Sequence, residues 1–342
     1  MMVKGMNIEE RFELIVRNLE EVIGEKEMLG LLREKNEVCV YWGTMPTGSP
    51  HVSYYVPLLK IADFLKAGLR VKILIADLHA ALDGVPWGIL DKRQRYYELL
   101  IPLMLKTLGV DVSKLEFVRG SKIQLNPKYF EDVLKLSTIA SVRDATKAAS
   151  EVVKKIENPN VSGLVYPIMM ALDEEYLGVD IQFGGTDQRK IFVFAREFLP
   201  KLGYKARVEL MNPMVPGLIG KKMSSSVEGS KIDMTDSEEI INKKINGAVC
   251  EEGNPDNGLM GFLKYVIMVM KKDAGKKFKV ERAEKFGGNV EYSNYEQLEK
   301  DFVAKKLHPM DLKKAVAQEI NALVEPVRKD RALIKAYKEA YS

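Results

Sequence analysis

The chain has 342 residues, 46% hydrophobic and 29% charged, with a formal net charge of +4; this is ordinary globular composition, long enough for two domains, and the small charge permits a nucleic-acid partner without demanding one. Its two cysteines, Cys39 and Cys250, lie far apart and its three histidines, His51, His79 and His308, are scattered, which argues against a disulfide framework and a zinc site, and no metal-ligating residues are expected. The first thirty residues interleave charges with apolar positions and no later run reaches membrane-spanning length, so the expectation is a reducing, cytoplasmic setting with no membrane partner.

In chain order, residues 8–34 carry apolar side chains among charges in the manner of amphipathic helices packed outside a sheet. The run Val38 to Trp42 then reads as a strand, Gly43 to Pro50 as a glycine-bearing turn, and His51 onward as the start of a helix. Glycines in such a turn let backbone approach a ligand, and the amides at a helix start suit phosphate, although many strand-turn-helix units carry glycines only for packing. A second apolar run, Val71 to Ala76, ends in Asp77-Leu78-His79. This spacing predicts a βαβ unit, hence a parallel sheet with ligands at the carboxyl ends of its strands. Further strands are expected at Leu115 to Val118, Val179 to Phe183 and Arg207 to Leu210, with a helical insertion over about 120–175. Past Lys231 the texture becomes helical: Leu312, Val316, Ile320 and Leu323 recur at helical spacing beside a series of lysines and arginines. The expected organisation is therefore an α/β, Rossmann-like domain over 1–235 and a mainly helical domain over 236–342.

Three clusters carry possible chemistry. Tyr166, Met170 and Asp173 are spaced to share one helix face; an acid and a phenol among apolar residues could bind a polar side chain, or the Asp could pair locally in a core helix. Gly184 to Lys190 follows a strand and offers close backbone approach with Asp187, Gln188, Arg189 and Lys190, or is a plain tight turn. Gly220 to Ser226 places two lysines in a polar loop, suited to charge developing on a leaving pyrophosphate, or is an exposed linker.

Their joint order carries a resemblance. Lys222-Met223-Ser224-Ser225-Ser226 resembles the KMSKS-type signature of class I aminoacyl-tRNA synthetases, and His51-Val52-Ser53-Tyr54 a degenerate HIGH signature. With Tyr41-Trp42-Gly43, Asp77-Leu78-His79, Tyr166 with Asp173, and Gly184 to Lys190, the chain resembles tyrosyl-tRNA synthetases of the archaeal and eukaryotic cytosolic type from about Val38 to about Arg328.

The resemblance implies L-tyrosine, ATP with Mg²⁺, and tRNA(Tyr) as substrates and partners, in a homodimer formed through the insertion. By position, Tyr41 and Asp173 would meet the substrate phenol, Tyr166 and Gln188 its amino group, with Met170 in the same site and His79 lining the pocket. Gly43, Gly48, His51, Gly185, Asp187 and Lys222 would serve ATP, with His51, Lys222 and Ser224 the catalytic set. Arg189 and Lys190 would contact the tRNA acceptor stem, and Phe286 and Asp311 the first anticodon base. Two departures stand out. The second histidine of the HIGH-like motif is replaced by Tyr54, and Met170 stands where the family usually carries a glutamine; methionine is a poor hydrogen-bonding group. Because tryptophanyl enzymes can carry methionine in a similar context, tryptophan is the nearest competing substrate, and a non-enzymatic RNA-binding relative is the rival of another class.

Overall fold

The computed structural model describes residues 6–152, 160–217 and 231–341. The chain divides into two compact units, one comprising residues 1–47, 60–98 and 110–214 and the other 48–59, 99–109 and 215–342.

The first unit is built on a six-stranded sheet: β1 (Glu21–Ile23), β2 (Cys39–Thr44), β3 (Arg70–Ile75), β4 (Leu115–Arg119), β5 (Ile181–Gly185) and β6 (Val208–Asn212), in the order β1-β6-β5-β2-β3-β4. All neighbours run parallel except β1, which pairs antiparallel with β6 at the edge. The five parallel strands stand where the apolar runs predicted them, and the central ones are apolar or buried nearly throughout, as a strand covered on both faces must be. This is the expected α/β, Rossmann-like arrangement. The short β1 is a departure, because residues 8–34 read as helices only. Three residues of strand between α1 (Ile8–Val16) and α2 (Glu25–Glu34) are too few for a period-two signal to emerge.

Chain connections supply α3 (Tyr55–Lys66), α4 (Asp77–Leu82), α5 (Leu90–Thr107), α6 (Gly120–Gln124), α7 (Pro127–Ile139), α8 (Val142–Ala149), α9 (Ser162–Tyr176) and α10 (Arg189–Phe198). Helices α7 to α10 share one apolar cluster, with Tyr129, Leu136, Met170, Leu172, Phe192 and Phe198 among its buried members. Pro at the first turn and Asn126 accepting from the Lys128 amide start α7, and a Ser141–Asp144 capping box starts α8. Lys60 is buried in this unit, yet its ammonium is satisfied. It donates to the carbonyl oxygens of Ile15 (3.1 Å) and Arg17 and to Asp63 (2.9 Å), a cation set against the end of α1 where the helix dipole favours it.

The second unit holds α11 (Glu238–Asn246), α12 (Gly258–Phe262), α13 (Met268–Asp273), α14 (Tyr295–Val303), α15 (Pro309–Lys329) and α16 (Arg331–Tyr341), with a π-helical segment, Leu263–Ile267, between α12 and α13. The long α15 buries Leu312, Val316, Ile320 and Leu323, the residues whose spacing predicts it. A two-stranded antiparallel hairpin, β7 (Phe278–Val280) with β8 (Val290–Tyr292), interrupts the helices. The reading of this region as helical misses it, since each strand has only three residues and its alternation, clear in β7 as buried Phe278, exposed Lys279 and buried Val280, is lost among flanking lysines and glutamates.

Candidate functional site

The turn after β2 is held from α5. The Arg93 guanidinium donates to the carbonyl oxygens of Pro46 (3.2 Å) and Thr47 (2.5 Å), and the Tyr97 hydroxyl to that of Met45 (3.2 Å). Gly43, at the mouth of this turn, has open space where a side chain would go: an added Cβ would meet nothing nearer than Tyr41 Cε2, at 3.7 Å. Its glycine is therefore not required by packing within the chain and leaves backbone accessible to a ligand.

Behind this turn lies a buried polar cluster. Asp173 on α9 is 1% exposed. Its carboxyl accepts from the Gln124 amide (2.8 and 3.1 Å), and the Tyr129 hydroxyl lies within hydrogen-bonding distance of both that carboxyl (2.9 Å) and the Met169 carbonyl oxygen (2.7 Å). Burial pushes the Asp173 pKa up to about 7 against the downward pull of those two donors. The same Gln124 amide lies 3.2 Å from His79 Nδ1, and the His79 ring meets Tyr166 edge-on with centroids 4.7 Å apart. Burial lowers His79 to about 4, so the ring is neutral at physiological pH. Tyr166 is buried with its hydroxyl 3.5 Å from Met45 Sδ, and Met170 is buried one turn along the same helix. Tyr41, also buried, feels the charge of Asp173 but gives its hydroxyl to Gln182. The structure thus gathers Tyr41, His79, Tyr166, Met170 and Asp173 in one unit. It adds two residues that the sequence does not mark, Gln124 and Tyr129, because both lie in the helical insertion with no motif around them. Gly120 at the start of α6 sets their approach: a Cβ there would fall 2.8 Å from Asp77 Oδ1 and 2.9 Å from Gln124 Oε1. Asp77 anchors that junction by accepting from the Ser121 amide (2.8 Å) and Arg119 (2.9 Å).

At the end of β5, both glycines are needed for close approach. A Cβ on Gly184 would overlap Gln188 Oε1 at 2.0 Å and Phe192 at 2.7 Å, and one on Gly185 would meet Asp187 Oδ1 at 2.5 Å. Gln188 and Asp187 therefore fold back over the strand end. Arg189 and Lys190 follow at the start of α10, half exposed and ion-paired: Arg189 grips Glu21 with two bonds of 2.6 and 2.8 Å, and Lys190 reaches Ser150 (2.9 Å) and Glu151 (2.7 Å). Exposed pairs of this kind are weak and exchange readily for another anion.

Gly48 and His51 belong to the second unit. His51 is 8% exposed and bridged to Asp233, with its ring edge-on to Tyr54. Burial, and after it the nearby Lys231, lowers its pKa to about 4, and its Nδ1 has no hydrogen-bond partner among the described residues. A neutral imidazole in this position acts as a hydrogen-bonding group and not as a cation. Phe286 is 61% exposed beside two glycines of positive φ, Gly287 and Gly288, with Lys285 Nζ 5.0 Å from its ring centre. Asp311 sits in the first turn of α15, where the helix dipole favours a carboxylate. Lys222 and Ser224 lie outside the described residues.

The buried Asp173 has a consequence for stability. Its folded pKa of about 7 exceeds the ordinary unfolded value of about 3.9, so the folded protein holds a proton that the unfolded chain has lost, and stability falls as pH rises across that window. Urea unfolding at pH 5 and pH 8 should show a smaller loss in Asp173→Asn than in the parent, by on the order of 3 kcal/mol. Equal losses would mean that Asp173 titrates normally.

Comparison with known proteins gives this geometry a context. A family model described as tRNA synthetases class I (W and Y) matches residues 33–325. A Gallus gallus protein named cytoplasmic tyrosine–tRNA ligase is 53% identical across 94% of this chain, and the chain spans 60% of that protein's length. A cytoplasmic tyrosine–tRNA ligase of Saccharomyces cerevisiae is 49% identical, with 97% of this chain and 86% of that protein covered. The crystal structure of a tyrosyl-tRNA synthetase complexed with L-tyrosine from Archaeoglobus fulgidus superposes with a TM-score of 0.86 at 39% identity, covering 97% of this chain and all of that one. A tryptophanyl-tRNA synthetase from Aeropyrum pernix shares the fold at 17% identity and a TM-score of 0.70 over 94% of this chain and 84% of that one. With the family model covering most of its length and relatives at about half identity, the chain belongs to the class I tRNA synthetases of the tryptophan and tyrosine family.

Proposed function

We propose that this chain activates L-tyrosine with ATP and transfers it to tRNA(Tyr), in the cytoplasm. The observation that carries this reading is the buried Asp173 carboxyl, pre-oriented by Gln124 and Tyr129 in an otherwise apolar helix cluster. A phenol adds a hydrogen bond to such a carboxyl, whereas phenylalanine buries it further and offers it no polar partner. The names of the relatives at about half identity support tyrosine over tryptophan, and a methionine at position 170 removes no contact from the phenol end.

In this reading Tyr41 and Asp173 meet the phenol, Tyr166 and Gln188 hold the ammonium, and His79 and Met170 line the pocket. Gly43, Gly48 and Gly185 admit ATP against backbone, Asp187 accepts from its ribose, His51 donates to phosphate as a neutral ring, and Lys222 with Ser224 serves the pyrophosphate. The tyrosine carboxylate attacks the α-phosphorus and the bond to pyrophosphate breaks, giving tyrosyl-adenylate. A terminal ribose hydroxyl of tRNA then attacks the acyl carbon and AMP leaves. No protein nucleophile is consumed; catalysis rests on positioning and on charge placed where it develops. Among the described residues no group of three or more His, Cys, Asp or Glu side chains could hold a metal; Mg²⁺ would enter with ATP and offset phosphate charge.

Arg189 and Lys190 suit the acceptor stem by exchanging their carboxylate partners for phosphate, and the exposed Phe286 ring with Asp311 suits an anticodon base. A homodimer is supported by Phe130 and Leu134, 60% and 54% exposed and one turn apart on α7, with Leu125 exposed before that helix and Val142 after it.

Amino-acid-dependent exchange of pyrophosphate into ATP should be supported by tyrosine and by neither tryptophan nor phenylalanine, with Asp173→Ala collapsing the preference; faster exchange with tryptophan than with tyrosine would overturn the assignment. Asp311→Ala should weaken aminoacylation by about 1–3 kcal/mol, the scale of one base contact, while leaving adenylate formation intact. Equal loss in both steps would point to misfolding. For assembly, Phe130→Glu should convert a dimer to a monomer in light scattering, and a parent chain that is already monomeric would refute the dimer.

A further inference from the structure

Three neighbouring parallel strands place Tyr41 on β2, Gln182 on β5 and Glu209 on β6 in direct register, so their side chains lie side by side on one face of the sheet. Glu174 on α9 reaches the same point. Tyr41 and Gln182 are 2% or less exposed, and Glu174 and Glu209 are fully buried. The amide of Gln182 has one orientation in which both ends are matched: its nitrogen donates to Glu174 Oε1 and to Glu209 Oε2 (3.2 Å), and its oxygen accepts from the Tyr41 hydroxyl. Turned over, the amide would set its oxygen against two carboxyl oxygens. The second oxygens, Glu174 Oε2 and Glu209 Oε1, have no hydrogen-bond partner among the described residues. Burial raises Glu174 to about 8 and Glu209 well above the ordinary carboxyl range, which eases the repulsion between them, and a proton carried on either of these second oxygens leaves the oxygen that faces Gln182 an acceptor.

A buried polar group left unpaired is costly, so two carboxyls that both need the amide nitrogen hold it firmly. They fix its oxygen toward Tyr41, and Tyr41 in turn directs its proton back at Gln182. We infer that Gln182, clamped by Glu174 and Glu209, is a positioning residue for amino-acid selection, acting through Tyr41, whose oxygen it leaves as an acceptor for a phenol O–H. This rests on the reading above that Tyr41 meets the substrate phenol. The phenol's single proton then goes to Tyr41, and its oxygen is left to accept from the Asp173 carboxyl in its protonated form; phenylalanine offers neither contact, so the clamp adds to discrimination.

The test is a double-mutant cycle in pyrophosphate exchange with tyrosine and phenylalanine, using Tyr41→Phe, Gln182→Met and the pair. Each single change should lower the tyrosine preference about tenfold, the scale of one hydrogen bond, chiefly through the KM for tyrosine, and the double variant should be no worse than Tyr41→Phe alone. Additive losses, or a normal preference in Gln182→Met while Tyr41→Phe is impaired, overturn the positioning role and leave the assignment of Tyr41 standing. An unchanged preference in Tyr41→Phe overturns both. Because Gln182→Met removes a buried amide from a central strand, Glu209 gives an independent arm. Glu209→Gln keeps an acceptor oxygen for the clamp and should rescue the preference lost in Glu209→Leu by threefold or more; indistinguishable values in the two variants count against the clamp.

Discussion

Asp173 is a carboxyl withdrawn from water, and everything around it in the first unit is arranged to make that tolerable. Gln124 and Tyr129 supply its donors, and each comes from a different helix of the insertion. Gly120 lets α6 come close enough for Gln124 to serve, Asp77 fixes the start of α6, and His79 stays neutral against the same amide. A carboxyl raised to about 7 is poised between accepting and donating, a state that ordinary core packing does not call for. In the proposed reading, the cost of holding it there is what a substrate phenol relieves.

Two of the three histidines are treated alike by the fold although they lie in different units. His51 and His79 are both buried and both depressed to about 4, which removes fixed positive charge from each position. Fixed positive charge near these segments is carried instead by lysines and arginines, several of them held in ion pairs. Arg189 with Glu21 and Lys190 with Glu151 follow that pattern at the surface.

Much of this was legible in the chain itself, and the reasons for what was not are specific. The five parallel strands announce themselves because each carries a short run dominated by apolar residues, and α15 because its buried face repeats at helical spacing. The strands β1, β7 and β8 are hidden because three residues carry too little pattern. Tyr41, His79, Tyr166 and Asp173 sit in recognisable motifs. Gln124, Tyr129, Gln182, Glu174 and Glu209 do not, since their meaning comes from register and helix approach: a glutamine in a strand and a glutamate on a helix look like surface residues until the sheet places both under cover. The interleaving of segments 48–59 and 99–109 with the second unit is likewise a tertiary property that no composition change marks.

A crystal structure with L-tyrosine bound tests the central claim most directly. The account predicts the phenol oxygen within hydrogen-bonding distance of both the Asp173 carboxyl and the Tyr41 hydroxyl, with Gln124, Tyr129 and Gln182 keeping their present contacts. A substrate ring seated elsewhere, or a phenol with no contact to Asp173, would contradict it.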